Sequence, residues 1–314
     1  MNGCLLCGSS AATELHRGSD RLYATTDKIF AVVRCQACGL VRIDPQPPDA
    51  ELHRYYPKQY WFEPKPTLAG RLEEVYRKLM LRDHVAFAKK VLAGKRARRV
   101  LDVGCGGGLF LRELREPGIE VFGLDVSVEA AKVAMRQNQV PVTVSDLQAA
   151  PFASGSWDLI TMYHVLEHVP APPQFLRAVA GLLAPGGSLI AQVPNLDCWQ
   201  YRVFGAKWSG LDIPRHLNDF RLADMRRMME GCGFEIVRVK HFSWRDNPAG
   251  VVTSLFPNLE PVARVVRRLD GGPLAKLGKD LLYLCLVMLA VPFAALEAAF
   301  GKGSSVMIEA RPKR

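Results

Sequence analysis

Four of the eight cysteines in this 314-residue chain fall in two C-x-x-C pairs, Cys4 with Cys7 and Cys35 with Cys38, each followed at once by a glycine, Gly8 and Gly39. Two thiolates three residues apart at a tight turn bite one cation, and two such knuckles complete a tetrahedral set. The spacing therefore predicts a structural Zn2+ site with no open position for chemistry. A second group suits a small ligand. The run V-L-D-V-G-C-G-G-G over 100–108 ends an apolar stretch in glycines, and Gly-Leu-Asp ends the next apolar stretch at Asp125. Glycines let backbone approach a ligand at a helix N-terminus, and a carboxylate there can accept two hydrogen bonds from a ribose diol. A third group is Tyr163-His164-Val165-Leu166-Glu167-His168, with His216 beyond an aromatic-rich stretch (Trp199, Tyr201, Phe204, Trp208). Imidazole and carboxylate move protons near neutral pH, so Glu167, His168 and His216 are the candidate catalytic residues.

These groups need elements to carry them. From residue 98 short apolar runs alternate with helical stretches, the pattern of a parallel sheet covered on both faces. Strands are expected at 100–103, 120–124, 142–144, 157–162, 188–193, 234–240 and 305–310, with helices at 109–115, 128–137, 174–183 and 222–231. The second cysteine knuckle, after a 27-residue spacer, is expected on a β-ribbon of 29–34 and 40–43. Between ribbon and sheet, Pro45, Pro47, Pro48, Tyr55, Tyr56, Tyr60 and Trp61 mark a linker that packs. Leu68, Leu72, Val75, Tyr76 and Leu79 then give the apolar stripe of a helix ending near Leu92.

Counted from Gly104, the third glycine of a dinucleotide fingerprint would fall at Leu109, which demotes that reading. The residues instead resemble the first motif of the class I methyltransferases that use S-adenosylmethionine, an acidic residue, any residue, then G-x-G-x-G: Asp102, Gly104, Gly106 and Gly108 match it. Ser145-Asp146-Leu147, Trp157-Asp158-Leu159-Ile160, the 183–187 turn and 231–234 extend the resemblance over 98–241 and 305–311. It implies an α/β fold, a doubly wound seven-stranded Rossmann-like sheet, with S-adenosylmethionine as cofactor. It further implies Asp102, Gly104 and Gly106 near the amino-acid part, Asp125 and the Val126 amide on ribose and adenine, Asp146 and Leu147 on adenine, and His164 beside the cofactor. Gly107 is left to turn geometry and Cys105 to filling space.

The H-x-x-E-H string also matches a metalloprotease pattern, but it follows a strand and is cut by Pro170, Pro172 and Pro173. Glu167 and His168 are expected instead in the acceptor pocket, His216 as the base and Arg215 as an anion clamp. The zinc ribbon in front and Trp208-x-Gly210-x-Asp212-x-Pro214-Arg215-His216-Leu217 behind resemble a bacterial subgroup of methyltransferase-23-like enzymes. That subgroup belongs to cell-surface polysaccharide, glycolipid and natural-product pathways, which implies a saccharide, glycolipid or natural-product intermediate as methyl acceptor.

The net charge of +10 invites anionic partners, so RNA base methylation is the alternative function, and a non-catalytic zinc-stabilised scaffold is the second. The ribbon's lack of interleaved aromatic and basic residues argues against nucleic acid. No secretory signal opens the chain, so a cytoplasmic protein is expected. About 60 residues, 243–303, separate the last two strands, and 281–296 holds sixteen residues without a charge after Arg264, Arg267, Arg268, Lys276 and Lys279. Pro292 and Glu297 are expected to interrupt the stretch, which is short of the roughly 20 residues a span needs. The expectations are peripheral membrane contact through 264–300 at the inner face of the membrane, by an in-plane helix or by an apolar hairpin gripping a lipid-linked acceptor, or else a buried helix or homodimer interface. The expected division is zinc ribbon 1–45, linker and helix 46–97, cofactor-binding core 98–242, apolar insert 243–303, and final strand with basic tail 304–314.

Overall fold

The computed structural model describes residues 3–57, 68–95 and 98–313. Tyr60, Trp61, the side chains of Leu68 and Leu72, and Arg314 of the basic tail lie outside the described residues. The N-terminal segment forms β1 (Ala12–Gly18), β2 (Phe30–Cys35) and β3 (Val41–Ile43), followed by α1 (Asp49–Leu52) and α2 (Leu68–Leu92). The alternating part supplies β4 (Arg99–Val103), α3 (Leu109–Leu114), β5 (Glu120–Asp125), α4 (Val128–Gln137), β6 (Val142–Val144), β7 (Trp157–Tyr163), α5 (Pro172–Leu182) and β8 (Leu183–Pro194). Then come α6 (Trp199–Phe204), β9 (Asn218–Asp219), α7 (Leu222–Gly231), β10 (Phe234–Lys240), α8 (Asn247–Leu255), α9 (Pro261–Val266), α10 (Pro273–Ala299) and β11 (Ser305–Pro312).

The seven-stranded sheet runs β10-β11-β8-β7-β4-β5-β6. Its members from β8 to β6 are parallel, and β11 lies antiparallel between β10 and β8. Val100, Leu101, Leu159, Ile160, Leu189 and Ile190 are buried, as strands covered on both faces require. β8 starts earlier than the apolar run suggests: Leu183 already pairs with Trp157, and the next pair is Leu159 with Ser188, so Ala184–Gly187 bulges from the ladder with Gly186 at φ +78°.

Three expectations need correction. The stripe expected on α2 is not its buried face: Val75 and Leu79 are exposed, and Leu81, Phe87, Ala88, Val91 and Leu92 pack with Phe110, Leu111 and Leu114 of α3. A helix of 25 residues is about 38 Å long, and only its second half enters that layer. The ribbon has four strands, not two: β1 precedes β2, and β9, from the insertion after β8, pairs with β3 through Val41↔Asp219 and Arg42↔Asn218. Cys4, Cys35 and Leu40 accordingly share one apolar cluster with Phe220, Met225 and Phe234. Finally, α10 continues through Pro292 and Glu297. Pro292 lies on the exposed side, where the carbonyl it leaves unbonded can meet water, and Glu297 is enclosed, accepting from the Gln200 backbone N–H and Nε2, each at 2.9 Å.

Along one side α10 packs on α8, with Val287 and Ala290 against Val252 and the Tyr283 hydroxyl 3.2 Å from that of Thr253. The other side exposes Leu274, Leu281, Met288, Leu289 and Leu296. It is the one helix among the described residues long and apolar enough to cross a membrane. Both of its ends are tied to the globule, through Arg264 with Asp280 and through Gln200 with Glu297, so it lies along the protein.

Candidate functional site

The turn between β4 and α3 bends sharply at its glycines. Gly104, Gly106 and Gly108 all have positive φ (+70°, +52° and +74°), the region that penalises any side chain. At Gly104 there is also no room, since an added Cβ would stand 2.7 Å from Val165 Cγ2. The turn is held from beneath. The amides of Gly104 and Cys105 donate to the Leu124 carbonyl at 2.7 and 3.1 Å, and the Gly106 amide donates to Asp125 Oδ2 at 2.8 Å. Cys105 is buried beneath β5, and burial pushes its thiol far above its ordinary range.

Asp102, inside the end of β4, is 4% exposed and accepts one hydrogen bond, from Thr161 Oγ1 at 2.6 Å. Burial raises its carboxyl to about 7, against the opposing Thr161 bond and with help from the Asp125 charge. Asp125 is also raised by burial, although the amides of Ser127 and Gly106 donate to its two oxygens at 2.8 Å each. Two enclosed carboxylates beside a glycine turn lack a countercharge, and a cationic ligand would supply it. The Val126 side chain next to Asp125 is exposed. Asp146 is exposed after β6, accepting from the Gln148 amide at 2.8 Å, while Leu147 is buried. This donor and acceptor set fits S-adenosylmethionine, whose sulfonium and ammonium groups are cations and whose ribose is a diol.

At the end of β7 the chain turns through His164, at φ +58°, into a short 3-10 turn of Leu166–His168. His164 Nδ1 stands 3.1 Å from Glu167 Oε1 and its Nε2 3.4 Å from Asp246 Oδ1. Burial opposes the charged ring, but Asp246 and Glu167 together raise it to about 9, so His164 is a fixed cation at neutral pH. Glu167 is 1% exposed, and its Oε2 has no hydrogen-bond partner. Next to it, burial and the neighbouring His216 push His168 down to about 4, leaving it neutral.

The structure brings His216 to this place, with its ring centroid 4.7 Å from that of His168. His168 Nδ1 donates to the Arg215 carbonyl at 2.9 Å, and the Tyr56 hydroxyl lies at 2.9 Å from the same nitrogen. His216 Nδ1 donates to the Gly210 carbonyl at 2.7 Å. A carbonyl only accepts, so both rings carry a proton on Nδ1; His168, being neutral, keeps a lone pair on Nε2, and His216 Nε2 stands 4.0 Å from Asp212 Oδ2.

Arg215 is not placed to clamp an anion. It is 1% exposed, with NH1 and NH2 donating to Asp20 at 2.8 and 2.9 Å, Nε and NH2 to Asp212 at 2.9 and 2.6 Å, and NH1 to the Tyr55 carbonyl at 3.0 Å, its guanidinium lying over the Tyr23 ring. It pins ribbon, linker and insertion together. Asp20, Asp246 and Gln192, whose Nε2 lies 3.1 Å from His164 Nε2, carried no local pattern in the sequence that would single them out. Their partners stand 195 and 82 positions away for Asp20 and Asp246 (215 − 20 and 246 − 164).

The four ribbon cysteines converge. Cys4 and Cys38 Sγ are 3.4 Å apart, Cys7 and Cys35 Sγ 3.5 Å, and all four sulfurs lie within 4.8 Å of one another. Zn–S bonds of about 2.3 Å place tetrahedral sulfurs roughly 3.8 Å apart, so the quartet fits zinc with little adjustment. The glycines close the knuckles, Gly8 N donating to the Cys4 carbonyl at 2.7 Å and Gly39 N to the Cys35 carbonyl at 2.9 Å.

Residues 71–239 match the family Methyltransf_23, described as a methyltransferase domain. A ubiquinone biosynthesis O-methyltransferase from Cupriavidus pinatubonensis is 30% identical over 176 residues, covering 52% of this chain and 70% of the relative. One of the same description from Burkholderia ambifaria is 32% identical over 165 residues, covering 49% and 70%. A solved S-adenosylmethionine-dependent methyltransferase from Archaeoglobus fulgidus superposes with a TM-score of 0.47 at 19% identity, covering 76% of this chain and 93% of that one.

Proposed function

This chain belongs to the methyltransferase family that matches its residues 71–239 and is a class I S-adenosylmethionine-dependent enzyme acting on a small molecule, and from that premise we propose that it methylates an oxygen of a saccharide, glycolipid or natural-product intermediate. Oxygen is preferred because the relatives described above are named O-methyltransferases. Family membership sets the scaffold expectation aside, and the small-molecule acceptor replaces RNA. The observation that carries the reading is the group Glu167, His168 and His216, beside the loop that closes over Gly104 through Val165.

S-adenosylmethionine, when bound, supplies a methyl group already activated on a sulfonium. The work of this chain is to bind, align and adjust acceptor charge. Asp102, ionised, offsets the cofactor's positive end, with the Gly104 and Gly106 backbone alongside it. Asp125 and the Val126 amide would hold ribose and adenine, Asp146 and Leu147 would hold the adenine, and the His164 cation would suit the cofactor's carboxylate. The Nε2 lone pairs of His168 and His216 and the Glu167 carboxylate face the acceptor and make its oxygen nucleophilic. Cys4, Cys7, Cys35 and Cys38 would hold a structural zinc that fixes the ribbon from which β3 reaches β9.

The exposed apolar face of α10, with Arg267 and Arg268 at the neighbouring turn, supports delivery of the acceptor at an anionic lipid surface. Native mass spectrometry of the full chain tests cofactor and zinc together, and release of S-adenosylhomocysteine across saccharide, glycolipid and phenolic acceptors tests the acceptor class. Turnover confined to RNA would overturn the reading. Flotation with anionic liposomes at low salt tests the surface; a protein that stays with the soluble fraction and sediments as a dimer would assign α10 to a homodimer interface instead.

A further inference from the structure

We infer that Glu167, His168 and His216 bind a divalent transition-metal cation at the acceptor end of the site. The inference rests on the reading of this trio as the acceptor side and deepens it. One carboxylate oxygen and one ring nitrogen from each histidine lie within 4.8 Å of one another, although they come from a turn after β7 and a loop some 50 residues later (216 − 167 = 49). Convergence alone is weak, and two further features turn it toward a metal.

The first is the orientation of the rings. Each Nδ1–H is used on a main-chain carbonyl, Arg215 for His168 at 2.9 Å and Gly210 for His216 at 2.7 Å, which orients both rings and leaves each Nε2 outside that bond, that of His216 standing 4.0 Å from Asp212 Oδ2. Metal-ligating histidines carry just such an outer contact, because it orients the ring and strengthens its basicity. The second is the carboxylate. Glu167 is 1% exposed, its Oε1 stands against His164, and its Oε2 is buried with no hydrogen-bond partner. Asp219, 4% exposed, likewise leaves Oδ2 buried and unpartnered. A buried carboxylate oxygen without a partner, on a side chain that converges with two imidazoles, is costly by itself and suits a cation.

Two imidazoles and one carboxylate suit manganese, iron(II), cobalt, nickel or zinc better than calcium or magnesium, which prefer oxygen alone. Three protein ligands leave coordination positions open, where an acceptor hydroxyl would be oriented and made more acidic. The ribbon cysteines form a separate, softer site that suits zinc.

The test uses the full chain with its ribbon loaded with zinc and Mn2+ alone as probe, followed by electron paramagnetic resonance titration. We expect one strong Mn2+ site per chain, weakened about tenfold or more in Glu167→Gln and in His216→Asn, whose amide can still donate to Gly210. Circular dichroism and thermal unfolding serve as folding controls. Absence of a strong site, or a site that both variants leave unchanged, overturns the inference. If no Mn2+ binds while His216→Asn still abolishes turnover, the acceptor reading stands and the metal fails. If Mn2+ binds through the trio while His216→Asn leaves turnover and acceptor KM unchanged, the metal stands and the acceptor reading fails.

Discussion

The guanidinium of Arg215 is fully enclosed yet meets Asp20, Asp212 and the Tyr55 carbonyl, whereas the carboxylate of Asp102, equally enclosed, has one hydrogen bond from Thr161 and a second carboxylate, Asp125, as neighbour. The first centre is complete in the protein alone. The second is complete only with something positive added. Enclosure of a charge therefore does not separate scaffold from site; compensation does. The same contrast divides the histidines. His164, between Glu167 and Asp246, has its charge settled by its neighbours, while His168 and His216 each use only Nδ1 on a main-chain carbonyl.

The largest effect expected from breaking this comparison is at Arg215. Arg215→Met leaves Asp20 and Asp212 buried without their cation and should cost about 3–5 kcal/mol of stability in urea denaturation. The remaining folded fraction should bind S-adenosylmethionine as before; lost cofactor affinity with stability intact would show that Arg215 belongs to the site. At Asp102 the signs invert. Asp102→Asn removes an uncompensated charge, so stability at pH 8 should rise by about 1 kcal/mol or more. Cofactor affinity should fall roughly 30-fold, equivalent to about 2 kcal/mol, by calorimetric titration.

A pH series sharpens the same point with no mutation. The folded value of Asp102, about 7, lies above the ordinary 3.8, so between these limits the folded chain holds a proton that the unfolded chain lacks. Its contribution to stability thus declines as pH rises through that window and levels off above 7. S-adenosylmethionine affinity should run the opposite way, steady above about pH 8 and weakening by up to about tenfold per unit below 7. The Asp102→Asn variant should flatten that profile; an unchanged profile would place the titrating group elsewhere. The smallest effect is expected at Tyr56, whose hydroxyl lies 2.9 Å from His168 Nδ1 while the Arg215 carbonyl takes that proton. Tyr56→Phe should cost about 1 kcal/mol or less and leave cofactor affinity unchanged.

Much of the cofactor half could be read along the chain, because its parts are local. Asp102 and the glycines of one turn are neighbours in sequence, and Asp125 ends the adjacent strand, where Val100↔Val121 to Val103↔Leu124 run in parallel register. The cysteine knuckles were readable for the same reason. The stripe on α2 misled because periodicity identifies an amphipathic helix without saying which part of it meets a partner. Pro292 and Glu297 misled because a proline on an exposed helix face costs little, and a buried glutamate is tolerated once Gln200 donates to both oxygens.

By itself the sequence determined which local chemistries exist: thiolate pairs with closing glycines, a glycine turn that admits no side chain, and apolar runs that can only be covered strands. These depend on spacing of a few residues and on backbone sterics. Tertiary structure alone decided what each charged group does, since Arg215 became a structural pin through Asp20, His164 a fixed cation through Asp246, and His216 a neighbour of His168. A charge takes its role from the groups within a few ångströms, and here those groups come from segments that meet only when the ribbon, the sheet and the insert close on one another.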